Sequence, residues 1–325
     1  MIQRRAWWPP LLVLALVSLA AMVVAVGLGS VNVAPADTLA VLAGQGSELQ
    51  RTLILELRLP RVIAAFGTGG LLAVAGALMQ VLLRNPLADP YILGLSGGAA
   101  LGALLAMLVS AAAVLVSAAA FGGALLATLL VFGLAHGRGS WTPSRLLLTG
   151  VVVAAGWGAA ITLILAIAPA QKLPGMLYWL MGDVAYARLS WPSVLVLVLT
   201  CLVVLPLGRS LNVLARGPVQ AAALGLSVRP LEWLVYVLAS LLTATAVTTA
   251  GSIGFVGLVV PHILRLVLGN DQRLILPASA FAGGTLLVLA DTAARTVIAP
   301  EQLPVGVFTA LIGVPMFLYL LHRSR

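Results

Sequence analysis

Apolar runs of membrane-crossing length alternate along this chain with short breaks, and the breaks coincide with charges, prolines and glycines. A helix needs about 20 predominantly apolar residues to cross the hydrocarbon core of a bilayer. By that measure the pattern predicts spans over 9–29, 62–83, 91–109, 113–135, 146–168, 191–207, 231–250, 253–268, 274–294 and 304–321. Ten spans return both ends of the chain to one side. The expected fold class is an all-α polytopic membrane protein, one transmembrane domain over 1–325.

Composition supports the pattern. Of 325 residues, 62% are hydrophobic and 8% charged, which excludes a water-soluble globule, whose apolar share is nearer half. The 33 Gly and 18 Pro suit membrane helices, where neighbouring helices satisfy freed backbone groups. The run from Trp7 to Leu28, behind Arg4 and Arg5, is too long for a signal-peptide core and reads as the first span.

The net charge of +9 changes the picture only through its placement. The cations fall singly, with no basic patch for phosphates, so nucleic acid is not an expected partner. With the first residues in the cytoplasm, the inner side carries Arg4, Arg5, Arg84, Arg138, Arg145, Arg209, Arg216, Arg229, Arg265, Arg273, Arg323 and Arg325. The outer side carries Arg51, Arg58, Arg61, Lys172, Arg188 and Arg295. Twelve against six obeys the positive-inside rule and places both termini in the cytoplasm of a bacterial inner-membrane protein.

Three connections are long. Residues 30–61, with Asn32, Asp37, Glu48 and Glu56, read as an outer surface segment. Residues 169–190 contain the apolar run Met176 to Met181, which reads as a short interfacial helix because Tyr178 and Trp179 favour that depth. Residues 208–230 lie inside and contain Arg216-Gly217-Pro218 and, further on, Leu224-Gly225. Pro218 suits a helix start and Gly225 its stop, giving a short docking helix.

Reactive chemistry is scarce. The sole lysine, Lys172, follows Gln171, so no Gly-x-x-x-x-Gly-Lys phosphate loop exists and the chain is not expected to be an enzyme. His136, His262 and His322 are far apart and Cys201 stands alone, so neither a metal site nor a cofactor is expected. Apart from Glu232 at the very start of 231–250, Asp291 is the one acidic residue inside a span; Arg295, four residues on, can pair with it on one helix face.

The most distinctive stretch joins spans two and three: Gly76-Ala-Leu-Met-Gln80-Val-Leu-Leu-Arg84-Asn85-Pro86-Leu87-Ala88-Asp89-Pro90-Tyr-Ile-Leu93-Gly94. Asn85 and Asp89 each precede a proline, are biased away from helix, and can accept from nearby backbone donors, which predicts a tight inner turn. Beyond it Gly94, Gly98 and Gly102 recur every four residues and predict a face for close helix packing.

These residues resemble the permease subunits of ABC importers for iron chelates, haem and cobalamin, the FecCD-like or BtuC-like family. The resemblance extends to Leu57-Arg58-Leu59-Pro60-Arg61, Ser144-Arg145, Gly254-Phe255-Val-Gly257, Pro261-His262 and Leu303-Pro304-Val-Gly306. It implies a type II importer permease fold of about ten helices and a twofold homodimer around one path. Its implied partners are two ATPase subunits beneath and a substrate-binding protein outside. It also implies binding-protein docking at Arg58, Arg61 and Arg295, and a cytoplasmic gate of Asn85, Pro86 and Leu87 with Pro143 and Ser144. ATPase coupling would fall to Arg216, Gly217, Pro218, Ala221, Leu224 and Gly225. An acidic residue commonly follows the family's coupling glycine; here Gly217-Pro218 stands instead.

The resulting expectation is a permease half that moves a metal chelate inward, ferric siderophore first, then cobalamin or haem. Small residues of span five, Gly150, Gly156 and Gly158, would give the path weakly binding walls. The rival reading is a self-sufficient ion-coupled carrier, which the shortage of mid-membrane ionisable residues disfavours.

Overall fold

The computed structural model describes residues 8–29, 33–135, 142–187 and 191–323. Arg4, Arg5, Asn32, His136, Arg138, Arg188 and Arg325 lie outside them. The described residues form α1 (Trp8–Gly27), α2 (Pro35–Leu42), α3 (Glu48–Leu82), α4 (Leu95–Leu108), α5 (Ala113–Ala135), α6 (Pro143–Ile167) and α7 (Leu173–Met181). They continue as α8 (Trp191–Val204), α9 (Gly208–Leu214), α10 (Pro218–Ala223), α11 (Val228–Ala250), α12 (Val256–Leu268), α13 (Gln272–Thr296) and α14 (Val305–Arg323).

Six of these, α1, α3, α5, α6, α11 and α13, are long and apolar enough to cross a membrane. Helices α8 and α9, bent by 74° at a short break, make up to seven if the pair is counted as one span; α4, α12 and α14 are shorter apolar helices. Each of the ten expected spans thus has its helix. The short ones are explained by their flanks. A 3-10 turn, Pro90–Leu93, precedes α4, with Gly94 left-handed at φ 71. Phe255, at φ 69, starts α12.

The surface segment expected over 30–61 is corrected. Helix α3 begins at Glu48, because Ser47 and Gln50 form a reciprocal capping box. Pro60 does not stop it. The helix widens into a π-type turn over Thr52–Arg58, where the Leu59 N–H bonds the Ile54 carbonyl, and so absorbs a residue that has no N–H to offer.

Helix α3 is the axis of the bundle, buried from Ala64 almost without interruption to its end. Helices α8, α11, α12 and α13 surround it, and α1 lies outside against α13. Small residues permit this. A Cβ on Gly69 would overlap the Gly283 carbonyl oxygen, and one on Gly76 would overlap the Gly257 backbone. Pro261 lacks the N–H that would bond the Gly257 carbonyl, and Gly76 packs against that carbonyl instead. Without a hydrophobic force between lipid-embedded helices, such close backbone approach is what holds a crossing.

A second cluster joins α4 and α5 with Ile164 of α6 and Met176 and Trp179 of α7. Gly98 and Gly102 face α5, where a Cβ would meet the carbonyls of Gly123 and Ala119. Helix α7 forms where the interfacial helix is expected, but Met176 and Trp179 are buried, so it is wedged into this cluster by one face. Lys172 precedes it and donates to the Leu108 carbonyl and, at 2.7 Å, to Ser110 Oγ, capping the C-terminal end of α4. Replacing Lys172 with Met is expected to lower stability by about 1–2 kcal/mol, read as a lower melting temperature in detergent with the fold retained.

Candidate functional site

The three arginines expected to contact a binding protein converge on one end of the bundle. Arg61 sends Nε to both oxygens of Asp291 at 3.1 Å, Nη2 to Asp291 Oδ1 at 2.9 Å, and Nη1 to Gln302 at 2.7 Å. Its Nη2 also reaches Asp183 at 3.4 Å. Arg295 Nε donates to Asp291 Oδ2 at 3.0 Å, the i,i+4 pairing its spacing predicts.

Arg58 and Arg295 then turn inward rather than toward solvent. Arg58 donates to the carbonyls of Val26 and Gly27 at 3.1 and 2.9 Å, and Arg295 to those of Ala25 and Leu28 at 3.3 Å. Two guanidiniums thereby satisfy the terminal carbonyls of α1, where the helix dipole is negative. Both residues are buried and in this conformation bolt α1 to α3 and α13. Arg61 lies nearest the surface, with 13% of its side chain exposed. Burial raises the Asp183 carboxyl above its ordinary value, opposed by the Ala185 N–H and by Arg61.

At the opposite end, α3 terminates in a tight turn. The Asn85 N–H bonds the Gln80 carbonyl at 3.2 Å, and Arg84 between them is left-handed at φ 50. Asn85 Oδ1 accepts from the Leu87 N–H at 2.9 Å, and Asp89 Oδ1 from the Tyr91 N–H at 2.7 Å, the two local bonds the sequence calls for. Pro86 and Leu87 are exposed on this turn. Pro143 and Ser144 open α6, whose Thr142 cap accepts from the Arg145 N–H at 3.3 Å. Among the described residues no hydrogen bond joins these two groups within one chain.

Helix α6 is mostly exposed. Gly150 packs against the Ile92 carbonyl of the 3-10 turn, and Trp157 against Gly97, whereas Gly156 and Gly158 face open space. Gly94 differs from Gly98 and Gly102: its left-handed φ makes it a hinge between that turn and α4, and it is not part of the packing face.

The 208–230 segment holds α9 and α10. Pro218 starts α10 after Gly217 at φ 117, and Gly225 ends it at φ 79, with the Leu226 N–H bonding the Ala221 carbonyl. Ala221 is fully buried, while Val219 and Leu224 are 82% and 70% exposed. Next to Arg216 lies a cavity of about 660 Å³ lined by Gln80, Arg84, Asn212, Arg265 and Asp271 among others. Asp271 is held by Arg273 Nη2 at 2.7 Å and Asn212 Nδ2 at 2.8 Å, which lowers its carboxyl to about 2 and keeps it ionised throughout the neutral range.

A contact with no clear sequence signal ties α3 to α12 beside this cavity. Gln80 Nε2 donates to the Leu258 carbonyl at 3.2 Å and its oxygen accepts from Arg265, whose Nη2 also reaches the Ala77 carbonyl. Gln80 and Arg265 are 185 residues apart, and only the crossing of the two helices reveals the pair. No three His, Cys, Asp or Glu among the described residues could hold a metal together.

The site thus consists of a proline-stiffened turn and a two-helix segment at one end of a polytopic helical bundle and a charged knot at the other. The chain belongs to the FecCD transport family, whose model matches residues 14–323. It is 40% identical over 327 residues to the vitamin B12 import system permease protein BtuC of Vibrio vulnificus strain CMCP6, covering 99% of this chain and 96% of that one. It is 42% identical over 282 residues to the hemin transport system permease protein HmuU of Yersinia pestis, covering 83% of each. A solved structure described as an inward-facing conformation of a transporter assigned to the metal-chelate ABC type superposes with TM-score 0.83 at 30% identity, covering 98% and 99% of the two chains. BtuC-like architecture and family are therefore as the motifs imply.

Proposed function

We propose that this chain is the permease subunit of an ABC importer that carries a metal chelate into the cytoplasm. Two copies pair around one path, separate ATPase subunits bind beneath, and a substrate-binding protein docks outside. The observation that carries the reading is end-to-end similarity, in sequence and in shape, to permeases named for vitamin B12, hemin and metal chelates. The absence of any Gly-x-x-x-x-Gly-Lys loop in the sequence agrees with ATP chemistry supplied by a partner.

In this arrangement the Arg61 end faces outward and receives the binding protein, with Arg61 the foremost contact and Arg58 and Arg295 behind it. The Asn85 end faces the cytoplasm. Asn85, Pro86 and Leu87 of one copy and Pro143 and Ser144 form the gate about the twofold axis, and Arg216, Gly217, Pro218, Ala221, Leu224 and Gly225 form the coupling element. The small open positions Gly156 and Gly158 on α6 suit a path wall that releases a bulky cargo.

Ferric siderophore, cobalamin and haem are the candidate cargoes, relatives named for each matching over most of their length. Liposomes containing the assembled complex test the proposal. Uptake of cyanocobalamin, ferric siderophore or haem is expected only with ATP, the ATPase subunits and the loaded binding protein together. Accumulation by this chain alone under an ion gradient would reject it in favour of a secondary carrier.

A further inference from the structure

Among the described residues, the cavity at the Asn85 end is lined by more positive than negative charge. Arg84, Arg216 and Arg265 line it, and its one carboxylate, Asp271, is already held by Arg273 and Asn212. Among the described residues no carboxylate lies within salt-bridge distance of Arg84, Arg216 or Arg265. Glu232 acts on Arg84 only through a longer-range attraction. Arginines gathered without a counter-charge beside a concave surface repel one another unless an anion joins them.

Arg84 carries a second signal. It ends α3 at the left-handed position where glycine is the least strained residue. An arginine held there at a backbone cost points to a use for its side chain. That side chain leaves the turn of Asn85, Pro86 and Leu87 and reaches the coupling segment: Nη1 lies 3.9 Å from where a Cβ on Gly217 would be. Past Gly217, Val219 and Leu224 expose their side chains on α10 and at its C-terminal cap. On a segment outside the bilayer, apolar side chains presented that way are suited to a protein partner and not to water.

We propose that this cavity seats a carboxylate side chain of the ATPase subunit, bridged by Arg84 and Arg216, while Val219 and Leu224 fill an apolar groove next to that carboxylate. This rests on the permease reading above. The partner supplies the carboxylate and the permease contributes the cations. Because Arg84 adjoins Asn85, a carboxylate held by both arginines ties the coupling segment directly to the gate turn. Motion of the ATPase then pulls on the turn through a charge-assisted contact as well as through the packing of α10.

The test measures the affinity of the cognate ATPase for the full-length permease in detergent, for wild type and for Arg84→Gly, Arg216→Ala, Val219→Asp and Arg51→Glu. Arg84→Gly places the favoured residue at a left-handed position, so its melting temperature is expected to hold or rise. Its affinity for the ATPase is expected to fall about tenfold, as for Arg216→Ala, the usual scale for truncating one member of a close interfacial charge pair. Arg51→Glu, at the other end, is expected to change nothing. A charge-reversed acidic residue on the ATPase should restore binding to Arg216→Glu.

If Val219→Asp abolishes association while Arg84→Gly and Arg216→Ala bind like wild type, the carboxylate seat is overturned and the permease reading stands. If the arginine variants alter only binding of inorganic phosphate, the cavity holds a free anion and the proposal is likewise overturned. Failure of the wild-type chain to bind any ATPase would instead remove the permease reading itself.

Discussion

Replacing Asp291 with alanine is expected to destabilise the protein by about 3–5 kcal/mol, the cost of leaving buried charge uncompensated. Asp291 is 1% exposed and is the shared acceptor for Arg61 and Arg295, so its loss takes the common carboxylate from two guanidiniums of α3 and α13 at once. Asparagine should recover little, because it keeps the shape but not the charge. The damage should spread to α1, whose final carbonyls depend on Arg295 and Arg58. Thermal unfolding of purified Asp291→Ala in detergent, with protease cleavage at the α1 end as a second readout, checks this. A loss under about 1 kcal/mol with α1 still protected would mean that the knot contributes little and that its arginines are free for other work.

Substitution of Gly69 by valine is expected to cost about 3 kcal/mol, the upper end of the range for overpacking, and to lower the yield of folded protein sharply. The obstacle is backbone. A Cβ there would overlap the Gly283 carbonyl and come within 2.7 Å of Leu287 Cβ, and neither α3 nor α13 can rotate away without losing its other partners. Gly156→Val on α6 is the matched comparison, since nothing lies within 4 Å of a Cβ at that position. It should leave the stability of a single copy within about 0.5 kcal/mol of wild type. Equal losses at the two sites would show that close approach of α3 and α13 is not what holds the bundle.

The arginines of this chain look alike in sequence and differ in the structure. Positions 58, 61 and 295 stand beside apolar runs, and such residues usually anchor a span at the membrane surface. Nothing local distinguishes an anchoring arginine from one that folds back onto the carbonyls of a helix more than 30 residues away, as Arg58 does onto Val26 and Gly27. Only the pairing of Asp291 with Arg295 was visible, because four residues on a helix is a fixed distance.

Local chemistry also carried the Asn85 turn and the 208–230 segment. Asn85 and Asp89 before prolines, and Gly217 and Gly225 around α10, act through bonds to residues a few positions away, and the structure contains those bonds. The glycine repeat was half legible. Gly98 and Gly102 share a helix face and serve it, but Gly94 precedes the helix, because Pro90 starts a 3-10 turn that ends in a left-handed residue. The glycines that matter most to the core, Gly69, Gly76, Gly257 and Gly283, gave no comparable repeat. Their role arises from which helix crosses which.

The chain by itself therefore determined the class of solvent it dissolves in, the number of apolar elements, their turns and their family, because hydrophobic length, proline and glycine act over a few residues. Tertiary structure alone decided that α3 is the central axis, that two arginines cap α1, that Gln80 meets Arg265, and that Arg84 and Arg216 share a cavity. Those outcomes depend on contacts between segments far apart in sequence, and a contact of that kind exists only once helix crossings bring the side chains together.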